Sequence, residues 1–348
     1  MNKTTVIALD AMGGDKAPEE IVKGAVNAVL AGKNVHILLV GAPEAIQKEL
    51  DRYQYPKDAI EVVPAAETIT NEEAPVMAIR SKKNSSVVVG LNQVKEGRAD
   101  AFVSAGSTGA VLVGAQLIVG RVKGVERPPL APLIPTAKGP ALLIDCGANV
   151  DARSSHLVQF AKMGSIYMRD VCGIANPRVG LVNIGAEADK GNALVKETYP
   201  LLQECGARGE INFVGNIEAR DIPKGDADVV VCEAFVGNVI LKFYEGVGSM
   251  FLHTLKDGLM SNTRAKIGAA LAKPTLKKTL KQFDTSQYGG APMLGLKGLV
   301  VKTHGSSDAK AVMNTINQCI LFSEQDICAK IAASFEHEPQ KTVKHEAE

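Results

Sequence analysis

The residues of this chain with chemical potential gather in short polar clusters, and SAGSTGA, Ser104 to Ala110, is the most suggestive. It lies between the apolar runs ADAFV and VLVGAQLIVG, where a strand would end and a helix begin. The first N–H groups of a helix lack partners, so Ser104, Gly106, Thr108 and Gly109 leave room and hydroxyls for an anion. The stretch has neither the lysine of a nucleotide P-loop nor the Gly-x-Gly-x-x-Gly spacing of a dinucleotide site. Read by itself it fits a capped turn and a phosphate cradle equally. His304, Gly305, Ser306, Ser307 and Asp308 precede a second helical pattern. There the imidazole either binds an anion or shuttles a proton, or it bonds backbone.

Two further residues suit a developing negative charge. Lys190 precedes Gly191-Asn192 at the start of a helical stretch, where a cation would bind phosphate or an oxyanion, or else be a solvated loop lysine. Asn238 follows the run DVVVCEAF, either as a helix N-cap or with its amide turned to a ligand. Cys146 has no histidine near it in sequence and reads as an inert buried thiol. His36, His156 and His253 read as structural, and no pair of histidines or carboxylates has the spacing of a metal site.

Elements must hold these clusters in place. TVIALD, VHILLVG, IEVVPA, DAFVSAG, ALLIDCGA, VGLVNIG, INFVGNIE, DVVVCEAF and GLVVKTHG have strand length, with helical periods between many of them. From Pro18 to Ala31, for example, Pro18 opens a helix, Ile21, Val22, Ala25 and Val29 form its apolar face, and Gly32 stops it. Alternation of this kind predicts a doubly wound, mainly parallel α/β/α sheet. Asp10–Asp15, Ser104–Gly109, Asp145–Asp151, Gly185–Asn192, Gly215–Asp221 and His304–Asp308 each follow an apolar run. That strand edge holds the ligand crevice of open α/β sheets. A single catalytic domain over 1–333 is expected.

Composition narrows the class further. Hydrophobic residues make up 46% and aromatics 4%, with no Trp, so aliphatic side chains must fill the interior, as buried parallel strands do. A net charge of +1 gives no general reason to bind nucleic acid. Scattered cysteines and a start that runs straight into a strand pattern point to the cytoplasm. The segment 249–283 carries seven Lys or Arg and one acid, Asp257, with Leu252, Leu255 and Leu259 on one face and Leu276, Leu280 and Phe283 on another. Pro274 predicts a break there, giving a projecting basic hairpin that packs on the core or a dimer contact, or meets an anionic partner or membrane. The polar stretch 334–348 reads as a flexible tail.

Taken in order, DAMGGD, KKNSS, SAGSTGA, DCGANVD, GNIEARD, GNVILK, YGGAPMLGL and HGSSDA resemble the bacterial phosphate acyltransferases, which convert acyl-[acyl carrier protein] into acyl phosphate. The likeness runs from about Thr4 to Ala333. It implies the fold of isopropylmalate dehydrogenases and phosphotransacetylases, a homodimer, and supply of acyl phosphate to a membrane glycerol-3-phosphate acyltransferase. It implies no cofactor and no metal. Inorganic phosphate and the acyl carrier thioester are the expected substrates. Lys190 and Asn238 fall at the reacting centre, with Asp10, Gly13, Gly14, Ser104, Gly106, Thr108, Gly109, Asn149, Asn216, His304, Gly305, Ser306 and Ser307 binding substrate. The family usually has Asn where Ser107 stands, so only the backbone of that position carries over. A phosphotransacetylase acting on acyl-coenzyme A and a non-catalytic sensor of acyl phosphate or carrier are the competing readings.

Overall fold

The computed structural model describes residues 4–281 and 285–336. In chain order the elements begin β1 (Thr5–Asp10), α1 (Glu19–Leu30), β2 (Val35–Gly41), α2 (Pro43–Leu50), β3 (Ile60–Pro64), α3 (Pro75–Ser81), α4 (Ser86–Lys95), β4 (Ala101–Ser104) and α5 (Thr108–Gly114). They continue with β5 (Leu133–Thr136), β6 (Gly139–Ile144), α6 (Ser154–Asp170), β7 (Arg178–Asn183), α7 (Ala193–Ala207), β8 (Asn212–Glu218), β9 (Val229–Val231), α8 (Ala234–Met260) and α9 (Thr263–Lys281). The chain closes with β10 (Ala291–Pro292), β11 (Leu299–Lys302), α10 (Ala309–Gln325) and α11 (Ile327–Phe335).

The α/β class and the parallel pairing hold, but the strands form two sheets where one was expected. The chain divides into two compact units, one made of the described residues up to Pro128 together with those from Pro292 onward, the other of Pro129–Ala291.

In the first unit the strand order is β10-β11-β4-β1-β2-β3, and β11, β4, β1, β2 and β3 pair in parallel. The order reverses between β1 and β4, the switch point at which doubly wound sheets hold ligands. Leu9 lies opposite Val103, and Ser104 opposite Lys302. Asp10, Ser104 and Lys302 therefore stand in one row across three strand ends. Helices α1 and α10 meet closely at Gly24, where a Cβ would come 2.6 Å from that of Val312.

The second unit has the order β5-β6-β9-β7-β8, parallel except for the antiparallel β5–β6 pair. Its core joins Ile134, Leu143, Cys146, Ile217, Val230 and Cys232, against which Val236, Ile240 and Leu241 of α8 pack. The segment expected to form a hairpin is helical, with different bounds from those expected. Helix α8 begins at Ala234, before Ser249, and the turn falls at Ser261–Asn262, where Asn262 Oδ1 accepts the Ala265 N–H at 2.9 Å. Pro274 lies inside α9. The carbonyl of Ala270, which a proline at 274 cannot bond, is on a residue exposed to solvent. Phe283 lies outside the described residues.

The first residues of the expected tail are helical. Ser334 and Phe335 belong to α11, and Phe335 is buried. Residues 337–348 lie outside the described residues.

Candidate active site

The structure sorts the six polar clusters into two groups of three. Those at 10–15, 104–109 and 304–308 belong to the first unit, and those at 145–151, 185–192 and 215–221 to the second.

In the first unit a buried carboxylate organises the loops. Ser104 Oγ donates to Asp10 Oδ2 at 2.7 Å and accepts the Gly106 N–H at 3.0 Å, while the Met12 N–H donates to Asp10 Oδ1 at 3.1 Å. Burial pushes the Asp10 carboxyl up, and hydrogen bonds from Ser104, Met12 and Gly13 draw it back. The Gly106 N–H is therefore spent on loop shape. Gly13 must lack a side chain, since a Cβ would come 2.4 Å from Asp10 Oδ2 and 2.6 Å from the Gly106 nitrogen. Gly14 has a φ of 102°, open to glycine, and Asp15 N–H donates to Gly305 O at 2.8 Å. The loops after β1, β4 and β11 are thus held to one another.

Ser107 is buried and caps α5, its Oγ accepting from Ala110 N–H at 3.5 Å, while Thr108 is exposed and Gly109 half-buried. After β11, His304 Nδ1 accepts the Ser306 N–H at 3.2 Å and lies 2.8 Å from Ser306 Oγ. In the neutral ring that puts the proton on Nε2. The imidazole thus bonds backbone with one nitrogen and keeps a donor on the other. His304 and Ser306 are exposed, whereas Ser307 is buried with Oγ 2.9 Å from Thr303 Oγ1. Such an edge, with exposed hydroxyl and imidazole groups around glycine loops, can hold a small anion largely through neutral donors.

In the second unit Asp145 plays the organising part. Its carboxylate accepts from the N–H groups of Leu130 (2.9 Å), Ala148 (3.1 Å) and Asn149 (2.9 Å), and from Asn149 Nδ2 (2.7 Å). Asn149 is thereby tied to the strand end. Helix α8 approaches closely, for a Cβ on Gly237 would lie 1.9 Å from Asp145 O. Glu233 caps α8, accepting from Phe235 N–H at 2.6 Å and Val236 N–H at 2.9 Å. Asn238 is not the N-cap, and sits half-buried on the helix five residues later. Cys146 is buried, its thiol 3.6 Å from Gly237 O and pushed well up by desolvation, which suits an inert residue.

Lys190 is exposed on the loop between β7 and α7, and Asn192 caps α7 through a 2.9 Å bond from Val195 N–H. Asn216 Nδ2 donates to Glu187 O at 2.9 Å and Asn183 Nδ2 to Lys190 O at 3.1 Å. Strands β7 and β9, which lead to Lys190 and Asn238, are neighbours.

The sequence reading missed Asp145, Asn183 and Lys302. Lys302 is 8% exposed, its Nζ donating to Thr303 O in the row with Ser104. A lysine closing the apolar run GLVV was the available signal. Among the described residues no three His, Cys, Asp or Glu side chains gather as a metal cage would require.

Mainly parallel sheets with polar loops at their strand ends define an α/β protein of the phosphotransacetylase fold. The EutD phosphotransacetylase from Staphylococcus aureus aligns with a TM-score of 0.59 at 18% identity, over 92% of this chain and 94% of its own. A phosphotransacetylase from Streptococcus pyogenes aligns at 0.60 and 15%, over 93% and 95%. The model of the family described as fatty acid synthesis protein matches residues 5–330. A protein of Clostridium acetobutylicum named phosphate acyltransferase is 51% identical over 95% of this chain and 99% of its own. One of the same name from Alkaliphilus oremlandii is 52% identical over 94% and 96%. The chain belongs to this phosphate acyltransferase family of fatty acid synthesis proteins, and it is an acyltransferase.

Proposed function

We propose that this protein transfers a long-chain acyl group from acyl-[acyl carrier protein] to inorganic phosphate, giving acyl phosphate for glycerol-3-phosphate acylation in phospholipid synthesis. The observation that carries the reading is the set of three interlocked loops after β1, β4 and β11, built of glycines and hydroxyls at a strand-order switch point. The names and close identity of the curated relatives support it.

Inorganic phosphate is a mixture of monoanion and dianion near neutral pH and is itself the nucleophile. One of its oxygens attacks the thioester carbonyl, the carbon–oxygen bond forms, the carbon–sulfur bond breaks, and the carrier thiolate leaves. Thr108, Gly109, His304, Gly305 and Ser306 form the phosphate cradle, with Asp10, Gly13, Gly14, Ser104, Gly106 and Ser307 fixing its shape. Lys190 and Asn238 stabilise the tetrahedral oxyanion, the role in which a fixed donor is worth most. No covalent enzyme intermediate is required, in keeping with the buried thiol of Cys146.

Two copies pair through the stripe of α8 formed by Phe235, Val239 and Phe243, which are 65%, 52% and 72% exposed. The protein works in the cytoplasm and rests on the membrane through the hairpin of α8 and α9, close to the glycerol-3-phosphate acyltransferase that uses its product. No helix among the described residues is long and apolar enough to cross a membrane.

Mass spectrometry after incubation with long-chain acyl carrier protein and phosphate tests the reaction. Acyl phosphate and free carrier are expected. Product formed from acyl-coenzyme A alone would instead favour a phosphotransacetylase, and binding with no product a sensor.

A further inference from the structure

Two asparagines at the ends of neighbouring strands are aimed at the backbone of the Lys190 loop. Leu181 of β7 lies opposite Asn216 of β8, and Asn183 follows Leu181 by two residues, so both amides leave the same face of the sheet. They are 8% and 9% exposed. Asn216 Nδ2 donates to Glu187 O, which also accepts the Lys190 N–H at 3.3 Å, and Asn183 Nδ2 donates to Lys190 O. The turn from Glu187 to Lys190 is thus gripped by its first and last carbonyls. Gly191, with a φ of 99°, brings the chain back against Asn183, whose Oδ1 would lie 2.4 Å from a Cβ there.

A second detail argues that the grip is not there for stability. Among the described residues Asn216 Oδ1 is buried with no hydrogen-bond partner, a cost that folding alone gives no reason to bear. Turning the amide over would place Oδ1 against the Glu187 carbonyl, so the donor direction is fixed and the acceptor is left alone.

We infer that Asn183 and Asn216 are positioning residues, which fix the Glu187–Lys190 turn so that the Lys190 ammonium is held ready for the negative charge of the transition state. Asn216 therefore acts through the loop and does not touch substrate. The inference rests on the oxyanion role proposed for Lys190.

A double-mutant cycle on the full chain tests it, with turnover of acyl carrier protein and phosphate as the readout. Asn216→Ala should lower turnover roughly 10- to 100-fold by misplacing the lysine, with the melting temperature unchanged or raised because the orphan acceptor goes too. Lys190→Ala should lose roughly 100- to 1000-fold, and the double variant should be no slower than Lys190→Ala. Losses that multiply in the double variant would overturn the inference while leaving Lys190 its role. Wild-type turnover by Lys190→Ala would overturn that role and the inference with it. Asn183→Ala runs the same cycle if Asn216→Ala fails to fold, and multiplying losses there count equally against the clamp.

Discussion

Ser306 and Ser307 are adjacent, of one type and in one loop, yet the structure gives them different tasks. Ser306 is exposed beside His304, whereas the Ser307 hydroxyl is shut against Thr303. Ser306→Ala should raise the Michaelis constant for phosphate several-fold with no change in melting temperature. Ser307→Ala leaves a buried hydroxyl short of a partner and should cost on the order of 1 kcal/mol of stability. Urea titration and phosphate kinetics on the two variants separate these effects, and equal effects on both would mean that the loop acts as one undivided piece. The sequence could show that hydroxyls cluster here, because residue type is written in it. It could not show which way each one turns. The same holds for Asp10 and Asp145, each of which also accepts from a residue outside its own loop, the Ser104 hydroxyl and the Leu130 N–H.

At the scale of elements, the close approach of α8 to the Asp145 strand end depends on a missing methyl group. In Gly237→Ala the new Cβ would fall on a backbone carbonyl that cannot swing aside. Overpacking of this kind costs about 3 kcal/mol, which for a unit of this size lowers the melting temperature by roughly 6–12 °C. A calorimetric scan showing an unchanged transition would contradict the close approach. The apolar runs marked as strands are strands, because buried parallel strands need unbroken aliphatic stretches that periodicity reveals. Which sheet each one joins was not legible, since β4 and β9 present the same kind of surface to a neighbour. The hairpin turn was misplaced for a related reason. A proline is a local signal, and the solvent around α9 removes much of its penalty, while Asn262 supplies a cap that makes a better end.

On the scale of the whole molecule, the hairpin sets apolar and basic groups together in the open. Met260, Ile267 and Leu271 are 53%, 58% and 80% exposed, amid Arg264 and the lysines of α9. Each basic residue near an anionic leaflet is worth about 1 kcal/mol, and salt weakens it. Flotation should therefore show reversible binding to phosphatidylglycerol vesicles that falls with ionic strength. Ile267→Glu with Leu271→Glu should abolish that binding while turnover in solution stays within about twofold of wild type. Binding that survives both charges would leave the hairpin to carrier or dimer contacts. The division of the loops has one more consequence, which concerns the making of the protein. The second unit is one unbroken piece of chain, but the proposed phosphate edge of the first draws on Asp10, Ser104 and His304. At about 5–20 residues per second, roughly 15–60 s of translation separate the first of these from the last. Until β11 leaves the ribosome, β4 is a bare edge strand, inviting the wrong pairing. A nascent or truncated chain without β11 therefore lacks one of the three loops proposed to hold phosphate.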